Sequence, residues 1–357
     1  MSDGVNLDDL TLYPALDPQG MLVHLHNFPD MSQQAWDLGS KFKLPQGYSH
    51  VNKIAVLGMG GSGIGGDLVK SLVSAESPIP IFTCRDYDLP AYVDDRTLVI
   101  ASSYSGATEE TLAAFEQALE KKCPKLVITT GGRLKDLAAA HDVPIFSYDY
   151  RAQPRAVLPY SFFPLLGILA GLKIIPDQIM AVAEALEALR KMASEIGETS
   201  PEGRNPAKQL AGRIFGKLVV IYGGGITRDV AQRWKGQFNE NSKNLAFYET
   251  FSELNHNSVV GYSFPKQMPA QTLVVLLASD WLHERIKLRY GITEELLRRA
   301  GFDFAEVKGR GVGRLAQMLT LVLFGDYVSY YLALLNRTDP TPVTSIDYLK
   351  GRLAKGE

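Results

Sequence analysis

One pattern occurs twice along the chain, and it restricts the possible folds more than any other feature of the sequence. A short apolar run leads into a group of glycines and then into a helical pattern, once from Lys53 and again from Lys217. Each copy is followed by a second apolar run, at residues 97–100 in the first half and at residues 272–275 in the second. Because the two copies keep the same order, they predict two similar α/β units.

Short apolar runs alternate with helical patterns through both halves. This alternation is typical of parallel sheets, because parallel neighbours need a crossover connection that is usually a helix. Further strands are predicted at residues 79–84, 125–130, 144–148 and 304–307, and helices at residues 67–73, 108–121, 133–141, 227–235 and 284–299. The predicted fold class is α/β, with two domains that each contain a parallel sheet flanked by helices.

The domain boundaries are predicted from the segment between the two units. Polar and turn-forming residues at 197–206 follow a helical pattern that begins near Pro176. In chain order we predict a partly helical N-terminal extension at 1–50, a first domain at 51–175, a connecting helix and linker at 176–206, a second domain at 207–340 and a C-terminal tail at 341–357. The sequence indicates no function for the extension.

Composition argues against several classes of protein. The 357 residues are 46% hydrophobic with a formal net charge of -2, and no basic tract marks a nucleic-acid surface. Cys84 and Cys123 have the spacing of neither a disulfide framework nor a zinc site, so we expect no metal and a reducing, cytoplasmic location. Acidic residues near the N-terminus argue against a signal peptide.

Two apolar stretches, at residues 157–175 and 315–335, approach the length of a membrane span. Two prolines and Lys173 interrupt the first stretch, and Asp326 interrupts the second. Interrupted stretches of this length are more typical of buried core helices. We therefore predict neither a membrane nor a nucleic acid as a partner.

A hydroxyl-rich segment at residues 103–108, here called the hydroxyl turn, follows the apolar run 97–100. Ser103, Ser105 and Thr108 lie where a parallel strand ends and the next helix still has unpaired N–H groups. Hydroxyl groups and helix N-termini both donate hydrogen bonds to phosphate. The turn therefore predicts a phosphate site. The alternative is that Ser105 only caps the helix and the other hydroxyls are solvated.

The second half departs from the repeat at the corresponding point. Asp280 stands there in the position that Ser105 occupies in the hydroxyl turn. Because a carboxylate repels phosphate, we expect the second domain not to duplicate the phosphate site. One domain is therefore predicted to bind phosphate while the other supplies different groups.

The glycine loop, residues 58–63, has two interpretations. Its G-x-G-x-x-G pattern follows a strand and Asp86 follows the next strand, as in dinucleotide-binding proteins. Alternatively, the backbone of Gly60, Gly61 and Ser62 approaches a sugar whose phosphate lies in the hydroxyl turn. The hydroxyl turn favours a sugar phosphate over NAD, because a pyrophosphate would not need a second anion site.

The second half contains a candidate acid and base. Glu240 and His256 are sixteen residues apart and lie among amide side chains. A carboxylate near a sugar can take the proton next to a carbonyl group, and a histidine can move protons in ring opening. On spacing alone the alternative is favoured for both residues, namely an exposed acid at a helix end and a loop histidine with satisfied hydrogen bonds.

Several of these motifs together resemble a known family. They are Gly60-Gly61-Ser62, Ser103-Tyr104-Ser105-Gly106 with Thr108, Asn239-Glu240 with Lys243, Asn255-His256-Asn257, and Lys350. Over about residues 50–352 the chain resembles the sugar isomerase (SIS) fold. More narrowly, it resembles the bifunctional phosphoglucose/phosphomannose isomerases, a branch of the phosphoglucose isomerase superfamily.

The resemblance implies a role for each matched residue. The implied substrate-binding residues are Ser103, Ser105 and Thr108 for the phosphate and Gly61 and Ser62 for the sugar, to which the glycine loop adds the backbone of Gly60. Glu240 is implied to be the base that moves a proton between C1 and C2, while His256 and Lys350 assist ring opening. Arg155 is implied to face the enediolate, and Arg151 competes with it for that role because it lies close by in the sequence.

The implied reaction is the reversible isomerisation of glucose 6-phosphate or mannose 6-phosphate to fructose 6-phosphate through a cis-enediolate, without metal or cofactor. The family is dimeric, and a histidine from one subunit completes the site of the other, so the resemblance implies a homodimer with shared active sites. Two alternatives stay open: a non-catalytic sugar-phosphate-binding regulator with SIS domains, and an NAD-dependent enzyme. An amino-sugar or pentose phosphate also stays open as the substrate.

Overall fold

The computed structural model describes residues 5–356, beginning with an N-terminal extension that is largely helical. Its helices are α1 (Tyr13–Leu16), α2 (Met21–His26) and α3 (Phe28–Lys41). The Lys208 ammonium, which is fully buried, donates to the Leu7 carbonyl at 2.8 Å and to Asp8 Oδ1 at 2.9 Å. A buried ammonium requires such acceptors. The start of the extension is therefore fastened to the body of the protein.

The first sheet has five parallel strands in the order β2-β1-β3-β4-β5. In chain order its elements are β1 (Lys53–Leu57), α4 (Gly60–Val73), β2 (Ile81–Cys84), β3 (Thr97–Ser102), α5 (Glu109–Leu119), β4 (Lys125–Thr129), α6 (Gly132–Ala140) and β5 (Ile145–Ser147). Strands β3 and β4 are buried along their whole length. Burial on both faces explains their continuous apolar sequences.

Three helices lead from the first sheet to the second. They are α7 (Leu158–Gly171), α8 (Ile179–Ile196) and α9 (Pro206–Ile214). Helix α7 is buried from Leu158 to Leu169 and packs against α3. At the contact, a Cβ on Gly39 would lie 2.4 Å from Pro164 Cα, so only glycine permits the approach. Most of the stretch 157–175 thus belongs to a core helix, as its sequence predicts.

The second sheet has four parallel strands in the order β7-β6-β8-β9. In chain order its elements are β6 (Leu218–Gly224), α10 (Arg228–Glu240), β7 (Ala246–Phe251), α11 (Met268–Gln271), β8 (Thr272–Ala278), α12 (Glu284–Ala300) and β9 (Asp303–Lys308). In both sheets the strand before the glycines lies second from one edge and pairs with the later apolar strand, β3 or β8. The repeat in the sequence is therefore a repeat in the α/β fold.

Strand β7 was missed by the sequence pattern. It lies at the sheet edge and exposes Phe247 and Tyr248. A half-exposed edge strand lacks the continuous apolar run of a buried parallel strand, so its sequence of mixed polarity gives a weak signal.

Two helices end the described chain, α13 (Arg314–Leu335) and α14 (Thr344–Leu353). Helix α13 is long and apolar enough to cross a membrane, but 94% of its apolar 18-residue segment is buried inside the protein. It packs against α8, α9 and α10 as a core helix, in agreement with the prediction for 315–335. Helix α14 has no buried residue.

One continuous hydrophobic core joins the two sheets, with side chains from both of them and from α4, α7, α8, α10 and α13. Helices α4 and α10 contact each other directly and run antiparallel. Ser71 near the end of α4 donates to Asp229 near the start of α10. Conversely, Gly61 at the start of α4 and Glu240 at the end of α10 line one cavity. This contact places the carboxyl edge of the first sheet beside the end of α10.

Gly325 tests the packing of α13 against α10. A Cβ at this position would lie 2.2 Å from Trp234 Nε1, and the Trp234 ring is fully buried. We expect Gly325→Ala to lower the free energy of unfolding by about 1–3 kcal/mol through overpacking. Urea unfolding followed by circular dichroism measures the change.

The matched control is Gly291→Ala. Gly291 is an exposed glycine within helix α12, and no heavy atom lies within 4 Å of a Cβ added there. There the substitution should stabilise the helix by up to about 1 kcal/mol. Equal effects of the two substitutions would contradict the packing described for α13.

Candidate active site

A cavity of about 240 Å³ lies where the start of α4 meets the end of α10, and it is called the α4–α10 cavity below. Three of the predicted site residues that come from different parts of the sequence, Gly61, Arg155 and Glu240, line it together. The remaining lining residues are Gly60, Ile64, Arg85, Gln232, Arg233, Lys235, Gly236, Gln237 and Tyr248. The cavity therefore combines the glycine loop of one unit with the acidic helix end of the other.

The glycine loop turns sharply from β1 into α4. The helix begins at Gly60, earlier than the predicted start at 67, so the last glycines of the motif lie in its first turn. Gly60 has a φ of +48°, and a Cβ on Gly61 would lie 2.7 Å from the Pro154 carbonyl oxygen. Glycine is thus needed both for the turn and for close contact with the segment that carries Arg155.

The hydroxyl turn forms a cluster beside the glycine loop. Ser103 Oγ and Thr108 Oγ1 are 2.8 Å apart, and the Tyr104 N–H donates to Ser62 Oγ at 3.2 Å. Thr108 is the N-cap residue of α5, and its side chain makes no capping hydrogen bond. Ser105 is exposed and accepts from the Ala107 N–H at 3.2 Å. The position of Thr108 argues against the interpretation in which Ser105 is the cap.

The corresponding turn of the second unit is filled by a side chain of α13. Gln317 Oε1 accepts from Ser279 Oγ at 2.7 Å and from the Asp280 N–H at 2.9 Å. Asp280 forms an ion pair with Lys308 at 2.6 Å. The groups that could face a ligand in this turn are already paired within the protein.

Arg155 is a buried cation that lines the cavity beside Glu240. Its side chain is 3% exposed, and its Nη1 lies 3.5 Å from Glu240 Oε2. Nε donates to Asn241 Oδ1 at 2.6 Å, and Nη2 donates to the carbonyl oxygens of Pro340 and Thr341 at 2.6 and 2.8 Å. These bonds fix the guanidinium beside the carboxylate. Arg151, the competing arginine, is exposed and does not line the cavity.

Lys243 joins the end of α10 to the segment that precedes α14. Its Nζ donates to the carbonyl oxygens of Glu240 at 3.0 Å and of Asp339 at 2.6 Å. Burial, together with the nearby charge of Arg155, lowers the pKa of Lys243 to about 8. Lys243 thus has a structural role that accounts for its place in the motif beginning with Asn239, and this role needs no contact with a ligand.

A buried polar network links α10 to α13. Asp326 of α13 accepts from Arg233 Nη2 at 2.7 Å and from Gln237 Nε2 at 2.8 Å. Arg233 also donates to the Arg155 carbonyl oxygen at 3.0 Å. In the sequence, Asp326 stands out only as an interruption of an apolar stretch. A lone acid in such a helix does indicate a buried partner, because an unpaired charge there would be costly.

His256 and Glu240 lie at opposite ends of the second sheet. Helix α10 runs back from the carboxyl end of β6, so Glu240 lies near the amino end, where Asn244 Nδ2 donates to the Lys217 carbonyl at 3.1 Å. His256 follows β7 and lies beyond its carboxyl end, exposed to solvent. Helix α10, with 13 residues at about 1.5 Å each, is roughly 20 Å long, so the two side chains lie far apart.

Lys350 also lies outside the cavity. It is exposed on α14, and none of the residues 5–356 forms a hydrogen bond or ion pair with its side chain. The structure thus brings together Gly60, Gly61, Arg155 and Glu240 in one cavity and links Ser62 to the hydroxyl turn. Within one chain it leaves His256 and Lys350 apart from them.

Comparisons with known proteins agree with the two-unit fold. Residues 203–353 match the family described as bacterial phospho-glucose isomerase C-terminal SIS domain. A hypothetical protein of Thermus thermophilus has a solved structure with a TM-score of 0.71 at 16% identity, covering 94% of this chain and 90% of that one. At this identity the likeness shows a shared fold.

Several curated proteins are similar in sequence. A D-glucosamine-6-phosphate 4-epimerase of Sulfolobus acidocaldarius is 33% identical over 239 residues, 67% of this chain and 72% of that protein. A bifunctional phosphoglucose/phosphomannose isomerase of Caldicellulosiruptor bescii is 41% identical over 336 residues, 94% of this chain and 99% of that protein. The chain is therefore an isomerase that belongs to the bifunctional phosphoglucose/phosphomannose isomerase family.

Proposed function

We propose that the protein interconverts glucose 6-phosphate and mannose 6-phosphate with fructose 6-phosphate through a cis-enediolate, without metal or cofactor. The observation that carries the proposal is the pairing of the Glu240 carboxylate and the Arg155 guanidinium, 3.5 Å apart, beside the glycine loop. A carboxylate can move a proton between C1 and C2, and a fixed cation stabilises the negative charge that develops on the oxygen atoms. These are the two requirements of aldose–ketose isomerisation.

In this proposal the sugar lies over Gly60, Gly61 and Ser62. The hydroxyl turn and the first turn of α5 hold the phosphate, since the N–H groups of that turn receive no side-chain cap. Glu240, whose side chain is 31% exposed, takes the proton from C2 of the aldose and returns it to C1. Arg155 stays charged during this transfer because a guanidinium is not deprotonated in proteins.

We further propose that two copies of the chain share their active sites. Within one chain His256 is exposed and lies at the opposite end of the second sheet from Glu240, which is at the far end of the roughly 20 Å helix α10. A histidine can assist ring opening only within hydrogen-bond reach of the sugar. His256 of a second copy would meet this requirement, and Lys350 on the exposed helix α14 would assist the same step.

The family favours this isomerase over the two alternatives from the sequence. A sugar-phosphate-binding regulator has no need of a carboxylate beside a buried arginine in the ligand cavity. An NAD-dependent enzyme would use Asp86 for the ribose, and Asp86 does not line the α4–α10 cavity. Of the three, only the isomerase forms fructose 6-phosphate from an aldose 6-phosphate, so that reaction separates it from both alternatives.

Replacing Glu240 tests the base. In Glu240→Gln we expect kcat to fall by about 10²- to 10⁴-fold, the usual contribution of a positioned general base, with little change in substrate affinity. A coupled assay of fructose 6-phosphate formation from each aldose, with and without EDTA, measures the rate, and calorimetry measures the affinity. Chelator should not change the wild-type rate.

The control is Glu295→Gln, which alters an acid that is 61% exposed on α12. It should leave both measurements unchanged. Full turnover in Glu240→Gln would exclude the carboxylate as the base, inhibition by EDTA would overturn the metal-free reaction, and a wild type inactive on both aldoses would overturn the proposed function.

Mixing two inactive variants tests the shared sites. Glu240→Gln and His256→Ala each inactivate every site of their own homodimer. A mixed dimer regains one intact site, formed by Glu240 of one chain and His256 of the other. Unfolding and refolding an equimolar mixture should therefore restore about a quarter of wild-type activity, since half of the dimers are mixed and each has one of two sites. No recovery would show that both residues act within one chain.

A further inference from the structure

We propose that Arg85 is a specificity-determining residue that binds the C1 end of the substrate and so selects hexose 6-phosphates over shorter sugar phosphates. The inference rests on the proposed function, because it takes the phosphate to lie in the hydroxyl turn. It depends on the position of Arg85 on the sheet, on the carboxylate that holds it and on its remaining hydrogen-bond donors.

Arg85 directly follows β2, at the carboxyl edge of the first sheet. The strand order β2-β1-β3 puts the glycine loop, which follows β1, between Arg85 and the hydroxyl turn, which follows β3. Neighbouring strands are about 4.8 Å apart, so the ends of β2 and β3 are about 10 Å apart. A sugar that crosses the glycine loop from the hydroxyl turn therefore points its far end at Arg85.

A buried carboxylate holds Arg85 in place. Arg85 Nη2 donates to Asp67 Oδ2, and Lys70 Nζ donates to Asp67 Oδ1 at 2.7 Å. The Asp67 side chain is 3% exposed, and this burial raises its pKa, but Arg85 and Lys70 outweigh the effect and keep the pKa below its usual value. Asp67 thus stays charged and fixes the guanidinium, which reduces the entropy lost on binding.

Arg85 has N–H donors available for a ligand, whereas most N–H donors of Arg155 are already hydrogen-bonded to protein acceptors. The Arg85 side chain is 30% exposed and lines the α4–α10 cavity. Within residues 5–356, Asp67 is its only hydrogen-bond acceptor. A guanidinium has five N–H donors, so several remain for the oxygen atoms of a sugar.

The chemistry of the substrate converts this position into selectivity. A pentose 5-phosphate seated in the same hydroxyl turn ends one carbon earlier than a hexose 6-phosphate, and it leaves the Arg85 donors without a partner. A hydrogen bond from a charged donor changes affinity by about 10- to 100-fold. Arg85 should therefore stabilise the hexose complex and contribute little to the pentose complex.

The test compares two ketoses in binding. Fructose 6-phosphate and ribulose 5-phosphate are titrated by calorimetry into Glu240→Gln, which prevents turnover, with and without Arg85→Gln. We expect Arg85→Gln to lower the affinity for fructose 6-phosphate by about 10- to 100-fold and the affinity for ribulose 5-phosphate by less than about threefold. The ratio of the two affinities does not depend on the folded fraction of the variant, so partial unfolding leaves it interpretable.

Two further variants separate recognition from general attraction. Lys235 lines the same cavity and forms no ion pair within the described chain, so Lys235→Gln should weaken both ketoses equally. Arg213 pairs with Asp303 at 2.7 Å outside the cavity, and Arg213→Gln should change neither affinity.

An unchanged affinity ratio in Arg85→Gln would overturn the proposal, as would a parent protein that binds both ketoses equally. If the wild type isomerises neither aldose but Arg85→Gln still loses the preference for the hexose phosphate, the proposed reaction is refuted and the role of Arg85 is supported.

Discussion

The antiparallel contact between α4 and α10 is the constraint on which the candidate site depends. Each helix follows the glycines of its own sheet, so the contact brings the start of one crossover helix against the end of the other. Gly61 and Glu240 meet there although 178 residues separate them in the chain. Because both helices belong to one continuous core, the cavity cannot widen without disturbing the packing of α13. A rigid scaffold of this kind positions reacting groups well.

Buried charges fix the cavity on the side away from solvent. Arg155 is held by Asn241 and by two backbone carbonyls, and Arg233 joins its carbonyl to Asp326. A buried ion pair contributes little net stability, but loss of one partner leaves an uncompensated charge. The network therefore fixes where the Arg155 guanidinium lies more than it stabilises the fold. Glu240 stays partly exposed, which is compatible with the proposed proton transfer to a ligand.

Local patterns in the sequence were sufficient to predict most of the architecture. Continuous apolar runs mark the buried strands β1, β3, β4, β6 and β8, since a parallel strand covered on both faces has no polar side. The edge strand β7 was missed for the same reason, because it exposes Phe247 and Tyr248. The start of α4 was placed too late, since glycines indicate a loop locally and the packing of Gly61 against Pro154 makes them helical.

The sequence by itself determined the two α/β units and the hydroxyl turn, because these depend on local periodicity and residue chemistry. Its resemblance to a known family singled out Glu240 and His256 as the candidate acid and base. Only the tertiary structure decided which of them meet. It put Arg155 rather than Arg151 beside Glu240, brought Arg85 to the same cavity and left His256 at the far end of the second sheet. Such distances depend on how two helices cross and on the order of strands in a sheet, and neither is encoded in a local pattern.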